Sequence, residues 1–228
     1  MRALLWLSLL VCCAACSRAP PAVDDLPLTA LPVAKPSPLL VLMISGDGGW
    51  AGLDQELAAQ FNERGLPVVG VSSLKYFWKL RTPDETAADM TRALHRYVAE
   101  WQASKILLVG YSFGADVMPF VYNRLPPDLK SRVTGLALLA VSERADFEVH
   151  VAGWAGVEGE GGLPVAPELK RITHLPVLCL WGAGDDVAAQ GCRQNLGPQR
   201  KTLSIGDGHH FGYLHSELAK QILAQAGR

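Results

Sequence analysis

The strongest constraint on this chain lies at residues 106–114, where four apolar residues, 106–109, run directly into Gly110-Tyr111-Ser112-Phe113-Gly114. An unbroken apolar run of that length reads as a strand buried on both faces, the mark of a parallel sheet. The stretch that follows, through Tyr122, is compatible with a helix. A strand that turns sharply into a helix holds the residue at the turn in a strained conformation and aims its side chain out of the carboxyl edge of the sheet. The pattern G-x-S-x-G is common on its own, and its weight here comes from standing between a strand and a helix.

The rest of the chain repeats this alternation. Further strands are expected at 39–44, 66–71, 133–141, 175–181 and 201–205, and helices at 53–62 and 213–224. Another helix should begin at Thr82-Pro83-Asp84-Glu85. There the Thr hydroxyl can accept from a free amide, Pro suits the first helical position and Glu can reach back. Ala87, Met90, Leu94, Tyr97, Val98 and Trp101 follow at spacings that put them on one stripe. Alternating strands and helices imply an α/β fold, a compact and mostly parallel sheet with helices on both faces. The 228 residues suffice for one domain, and 49% hydrophobic against 19% charged residues describes a globular chain. A formal net charge of −1 provides no field for gathering nucleic acid. Residues 143–167 are rich in Gly and lack a period, so a mobile flap over a site is expected there.

Residues 1–15 carry the pattern of an export signal: Arg2, an apolar run from Ala3 to Val11, then small residues ahead of Cys16. The run is shorter than the roughly 20 apolar residues that span a bilayer. Cys16 stands where a bacterial lipoprotein places its acylated cysteine, although Cys13 occupies a position that usually holds Leu. Lipidation of Cys16 and plain secretion into the periplasm are the two outcomes of cleavage, and an uncleaved anchor is the alternative. Residues 16–38 contain six prolines, at 20, 21, 27, 32, 36 and 38, and read as an extended tether ahead of a domain at 39–228. Only Cys179 and Cys192 remain in that domain, where an oxidising compartment permits a disulfide and two buried thiols are the alternative.

A serine hydroxyl attacks a carbonyl only when a base removes its proton and donors stabilise the oxyanion. The acid that orients the base is expected in Gly182-Ala183-Gly184-Asp185-Asp186, at the end of a strand, with Asp185 preferred and Asp186 the alternative. The base is expected in Gly208-His209-His210-Phe211, with His209 preferred over His210. Serine, then acid, then histidine is the chain order of the α/β-hydrolase fold. The oxyanion donors are expected to be the amide of Phe113, at a helix N-terminus, and the amide of Asp47 in the turn Ser45-Gly46-Asp47-Gly48-Gly49. Tyr76 and Trp78, beside Lys75, Lys79 and Arg81, are candidates for substrate binding at a lipid headgroup. Neither a metal nor a cofactor is called for.

Three segments together, Ile44-Ser45-Gly46-Asp47-Gly48-Gly49-Trp50, Ser73-Leu74-Lys75-Tyr76-Phe77-Trp78 and Gly110 through Val117, resemble the bacterial virulence protein VirJ and the matching domain of AcvB. Cys179-Leu180-Trp181-Gly182 and Gly208-His209-His210-Phe211 extend the resemblance toward the C-terminus. It implies a periplasmic α/β hydrolase. AcvB-like members act on aminoacylated phosphatidylglycerol, chiefly the lysyl ester, and VirJ-like members are also linked to type IV secretion. The expected function is therefore cleavage of a carboxylic ester, with an aminoacyl phospholipid as substrate and a membrane surface as partner. An escort factor with a secretion-system partner, and a general lipase or thioesterase, are the competing readings. Residues 182–192 depart from the family, whose members often carry a denser acidic run before the cysteine.

Overall fold

The computed structural model describes residues 21–150, 161–194, 197 and 199–227. The export signal, Cys16 and the centre of the expected flap at 151–160 lie outside the described residues. In chain order the elements are β1 (Leu28–Leu31), β2 (Leu39–Ile44), α1 (Leu53–Glu63), β3 (Val68–Val71), α2 (Ser73–Tyr76) and α3 (Pro83–Glu100). Then come β4 (Lys105–Tyr111), α4 (Phe113–Arg124), α5 (Pro127–Lys130), β5 (Val133–Leu139), β6 (Arg144–Ala145), β7 (Leu163–Pro164) and α6 (Val165–Arg171). The last elements are β8 (Val177–Ala183), α7 (Asp186–Arg193), β9 (Arg200–Asp207), a 3₁₀ turn at Phe211–Tyr213 and α8 (His215–Gln225).

Seven of the described strands form one sheet in the order β1-β3-β2-β4-β5-β8-β9, parallel except for β1. The apolar runs divide by the period of two that a pleated strand imposes. Leu40, Leu42 and Ile44 of β2, with Ile106 and Leu108 of β4, face a core completed by Met90 and Leu94 of α3 and Val117 and Val121 of α4. Leu39, Val41 and Met43, with Leu107 and Val109, face the opposite core, closed by Leu57 and Phe61 of α1 and Leu218 and Ile222 of α8. Both faces of the central strands are thus covered, which is why they read as continuous apolar runs. At the start of α3, Thr82 Oγ1 accepts from the Glu85 amide at 3.1 Å while the Glu85 carboxylate accepts from the Thr82 amide at 2.8 Å, as the spacing predicts.

The tether reading of 16–38 fails in part. Leu28–Leu31 pairs antiparallel with β3, Leu26 is buried, and Asn62 donates to the carbonyls of Leu31 and Pro32 at 3.1 Å. An edge strand that covers β3 shields its unpaired amides and carbonyls, and four residues suffice for that. Parts of the expected flap are also built into the fold, since β6 pairs with β7 and Phe147 packs against Phe77 and Phe120.

β2 and β4 lie side by side, and the helices that follow them leave toward opposite faces of the sheet. The crevice between two such strands, at their carboxyl ends, is where an open α/β sheet offers room for a ligand. Both α1 and α4 begin there.

Candidate active site

Ser112 sits at the mouth of that crevice, between the last residue of β4 and the first of α4, with φ 51° and ψ −120°. A non-glycine residue at positive φ is strained and persists only where its surroundings impose it. The constraint comes from β2: a Cβ on Gly114 would stand 2.1 Å from the Ile44 carbonyl oxygen. Only glycine lets the first turn of α4 lie against the backbone of β2 that closely. The turn after β2 is held in its own right, with the Ser45 Oγ accepting from the Ser73 amide at 2.9 Å and the Ser73 hydroxyl donating to the Ser45 carbonyl at 2.6 Å.

His209 follows β9 and meets both partners. Its Nε2 is 2.9 Å from Ser112 Oγ and its Nδ1 is 2.7 Å from Asp185 Oδ2. Of the two candidate acids it is Asp185 that contacts the imidazole, whereas Asp186 is the first residue of α7 and faces solvent. Asp185 also caps α7, its Oδ1 accepting from the Ala188 amide at 3.1 Å. One oxygen therefore anchors the carboxylate to the helix while the other holds the imidazole. His210 turns the other way, its Nδ1 2.9 Å from the Tyr111 hydroxyl. Asp47, in the turn after β2, lines the same cleft as Ser112, and Phe113 is the first residue of α4.

Cys179 and Cys192 are bridged, with 5.6 Å between their Cα atoms. The bond closes the loop that carries Asp185, from the middle of β8 to the end of α7. Replacing both cysteines with Ala is expected to lower the unfolding free energy by about 3 kcal/mol, the value for a loop of this length. Urea unfolding of the two proteins without reductant measures it, and a loss below about 1 kcal/mol would contradict the assignment.

Tyr76 does not reach the site: it is 2% exposed, its hydroxyl donates to Asp89 at 2.7 Å, and the Arg81 guanidinium lies over its ring. The single turn of α2 rotates Tyr76 and Phe77 inward. Trp78 is then left 59% exposed, outside the lining of the cleft. The cleft in front of Ser112 has a volume of about 690 Å³ and is lined by the β2 turn, the start of α1, Tyr111, His209, His210, Tyr213 and His215. Asp54 and Glu56 of α1 join Asp47 there, and no Lys or Arg is among the described lining residues. Burial, followed by the Asp54, Asp47 and Asp185 carboxylates, pushes the Tyr111 hydroxyl up from its usual range. Asp116, in the first turn of α4, accepts from the Ser142 amide at 2.6 Å, and desolvation holds its carboxyl well above the ordinary range. Tyr111, Asp54 and His215 carried no signal in the sequence, because isolated polar residues at helix starts and strand ends are ordinary features of surfaces.

Solved structures share this architecture. Proline iminopeptidase from Mycobacterium smegmatis superposes with a TM-score of 0.63 at 13% identity, covering 90% of this chain and 97% of its own. MenH from S. aureus gives 0.63 at 16% identity, covering 88% and 97%. The esterase from Exiguobacterium antarcticum gives 0.60 at 12% identity, covering 88% and 95%. At such identities the likeness establishes the α/β-hydrolase fold. Among curated protein sequences none matches the chain. The family model described as bacterial virulence protein (VirJ) matches residues 38–228, nearly all of the folded part, and the chain belongs to that family.

Proposed function

We propose that this chain is a serine hydrolase that cleaves the carboxylic ester of an aminoacylated phospholipid such as lysyl-phosphatidylglycerol. The observation that carries the reading is the unbroken relay from Asp185 through His209 to Ser112, with contacts of 2.7 and 2.9 Å. In the reaction, His209 Nε2 takes the Ser112 proton as Oγ bonds to the ester carbonyl carbon. The amides of Phe113 and Asp47 receive the oxyanion. His209 then returns the proton to the departing glycerol oxygen as the carbon–oxygen bond breaks. Water, deprotonated by His209, releases the acyl group from Ser112 by the same steps. Asp185 keeps Nδ1 protonated and steadies the imidazolium.

Two features favour a lipid that bears a cation. Among the described residues the cleft wall carries Asp47, Asp54 and Glu56 and no Lys or Arg. The exposed large apolar side chains among the described residues all follow the carboxyl end of a strand of the main sheet: Trp78 and Leu80 between α2 and α3, Leu163 in β7, Val187 in the first turn of α7, and Tyr213 and Leu214 ahead of α8. Exposed Lys75 and Lys79 flank Trp78 on that edge. Aromatic, aliphatic and cationic side chains sharing one edge suit an anionic membrane surface. The Cys179–Cys192 bridge suits an oxidising compartment. In this reading the domain works in the periplasm, and Cys16, if acylated, holds it at the membrane.

A fluorophosphonate probe is expected to add once, on Ser112, and the enzyme is expected to release lysine from lysyl-phosphatidylglycerol faster than it cleaves a short acyl ester. Mass spectrometry of the adduct and assay of the released amino acid check both. A folded sample that neither reacts with the probe nor releases lysine would favour an escort role with a secretion-system partner. Equal rates on every ester would favour a general lipase or thioesterase.

A further inference from the structure

Two buried side-chain atoms among the described residues have no hydrogen-bond partner, Asp54 Oδ1 and His215 Nε2, and both residues line the Ser112 cleft. They belong to the first turns of α1 and α8, two helices that pack against each other. Asp54 is only 3% exposed. A carboxylate oxygen so enclosed has lost its hydration without a replacement donor, an arrangement that folded proteins rarely retain. Burial accordingly pushes the Asp54 carboxyl up to about 8, against the backbone amides of Gly46, Asp54 and Ala51, which favour the anion.

An ammonium group meets both unmet acceptors. It carries three N–H donors and a positive charge, enough for the Asp54 carboxylate and for His215 Nε2 in the tautomer protonated at Nδ1. Asp47 and Glu56 add negative charge to the same cleft. Gly46 links this wall to the nucleophile: its amide faces the Asp54 carboxyl, and a Cβ built on it would lie 3.6 Å from Ser112 Cβ. A cation on the acyl group of a bound ester therefore has a partner close to the reacting carbonyl. We infer that Asp54 and His215 form the subsite for the ammonium group of the substrate's acyl part. The inference deepens the ester-hydrolase reading and names the residues that select the substrate.

The test has a turnover arm and a binding arm, both on the folded domain with its disulfide intact. The p-nitrophenyl esters of propionate, alanine and lysine are compared on the wild type and on Asp54→Asn. The variant is expected to lose at least about tenfold more kcat/KM on the amine-bearing esters than on the propionate ester, mainly through KM. A loss on alanine and lysine alike assigns the subsite to the α-ammonium, and a loss on lysine alone assigns it to the side-chain ammonium. Equal losses on all three esters would place Asp54 in support of the Gly46 turn and overturn the inference.

In the binding arm, calorimetry with n-butylammonium needs no turnover, so it separates failure of the subsite from failure of the hydrolase reading. Affinity should exceed that for n-butanol and rise from about pH 7 to about pH 9, as Asp54 ionises while an alkylammonium keeps its charge. Asp47, Glu56, Tyr111 and Tyr213 face the same cleft, as do His209, His210 and His215. The Asp54→Asn profile isolates the part due to Asp54. Butylammonium affinity that is flat with pH in the wild type, or unchanged by the substitution, overturns the inference whatever the esters do.

Discussion

Ser112→Ala is expected to lower kcat on any ester the wild type cleaves by roughly 10⁴- to 10⁶-fold, while binding of an unreactive amide analogue stays within a few-fold of wild type. The size follows from the relay. Without Oγ there is no atom for His209 to deprotonate, and the remaining rate is what donors and proximity give an attacking water. The fold should tolerate the change, because Ala keeps a Cβ at the same positive φ that Ser112 already adopts. The members of a relay act as a unit, so His209→Ala and the double variant should fall about as far as Ser112→Ala alone. Steady-state kinetics on the three proteins, with calorimetry for the analogue, provides the check. A Ser112→Ala protein that retains even about a tenth of the wild-type kcat would remove Ser112 from the chemistry.

Gly114→Ala is expected to damage both stability and catalysis. Its Cβ would meet the Ile44 carbonyl oxygen at 2.1 Å, the Ile44 carbonyl carbon at 2.6 Å and the Ser45 oxygen at 2.7 Å, all of them backbone atoms of a central strand or its turn. No side chain can rotate away, so α4 must shift from β2. We expect a loss of about 3 kcal/mol, the upper part of the range for overpacking. Because α4 carries the Phe113 amide, a proposed oxyanion donor, misplacing it is expected to lower kcat by about 100-fold. Gly48→Ala is the control for stability, since a Cβ there meets nothing within 4 Å. Urea unfolding of both variants measures the difference, and a Gly114→Ala protein as stable as Gly48→Ala would contradict the close approach.

The parts of this molecule that were legible in the sequence are those set by local pattern. The two-sided burial of β2 and β4 shows as unbroken apolar runs, the start of α3 shows as Thr82 to Glu85, and the turn at Ser112 shows as two glycines between a strand and a helix. What escaped depends on contacts distant along the chain. Leu28–Leu31 is a strand because β3 offers it an edge, and nothing in a proline-rich stretch announces that edge. Tyr76 and Trp78, two residues apart, part company because α2 is one turn long, so one is enclosed and the other left in solvent. Asp54 and His215 are far apart in sequence, and only the packing of α1 against α8 sets them on one wall. That Asp185 rather than Asp186 meets the imidazole depends on which residue precedes the first turn of α7.

The shared origin of α1 and α4 at the crevice has an electrostatic consequence. The aligned peptides of each helix place about half a positive charge at its N-terminus. On α1 that charge is opposed by the first-turn acid Glu56, and by Asp54 once the pH exceeds about 8. On α4 the corresponding acid, Asp116, is held well above the ordinary carboxylate range, so the positive end at Phe113 is less offset. With Asp54 ionised the cleft is polarised along its length, negative beside α1 and positive beside α4. A tetrahedral intermediate formed from an aminoacyl ester is a zwitterion, with an oxyanion and an ammonium a few bonds apart. A polarised cleft matches that pair of charges in orientation as well as in sign, and a neutral acyl ester engages only half of it.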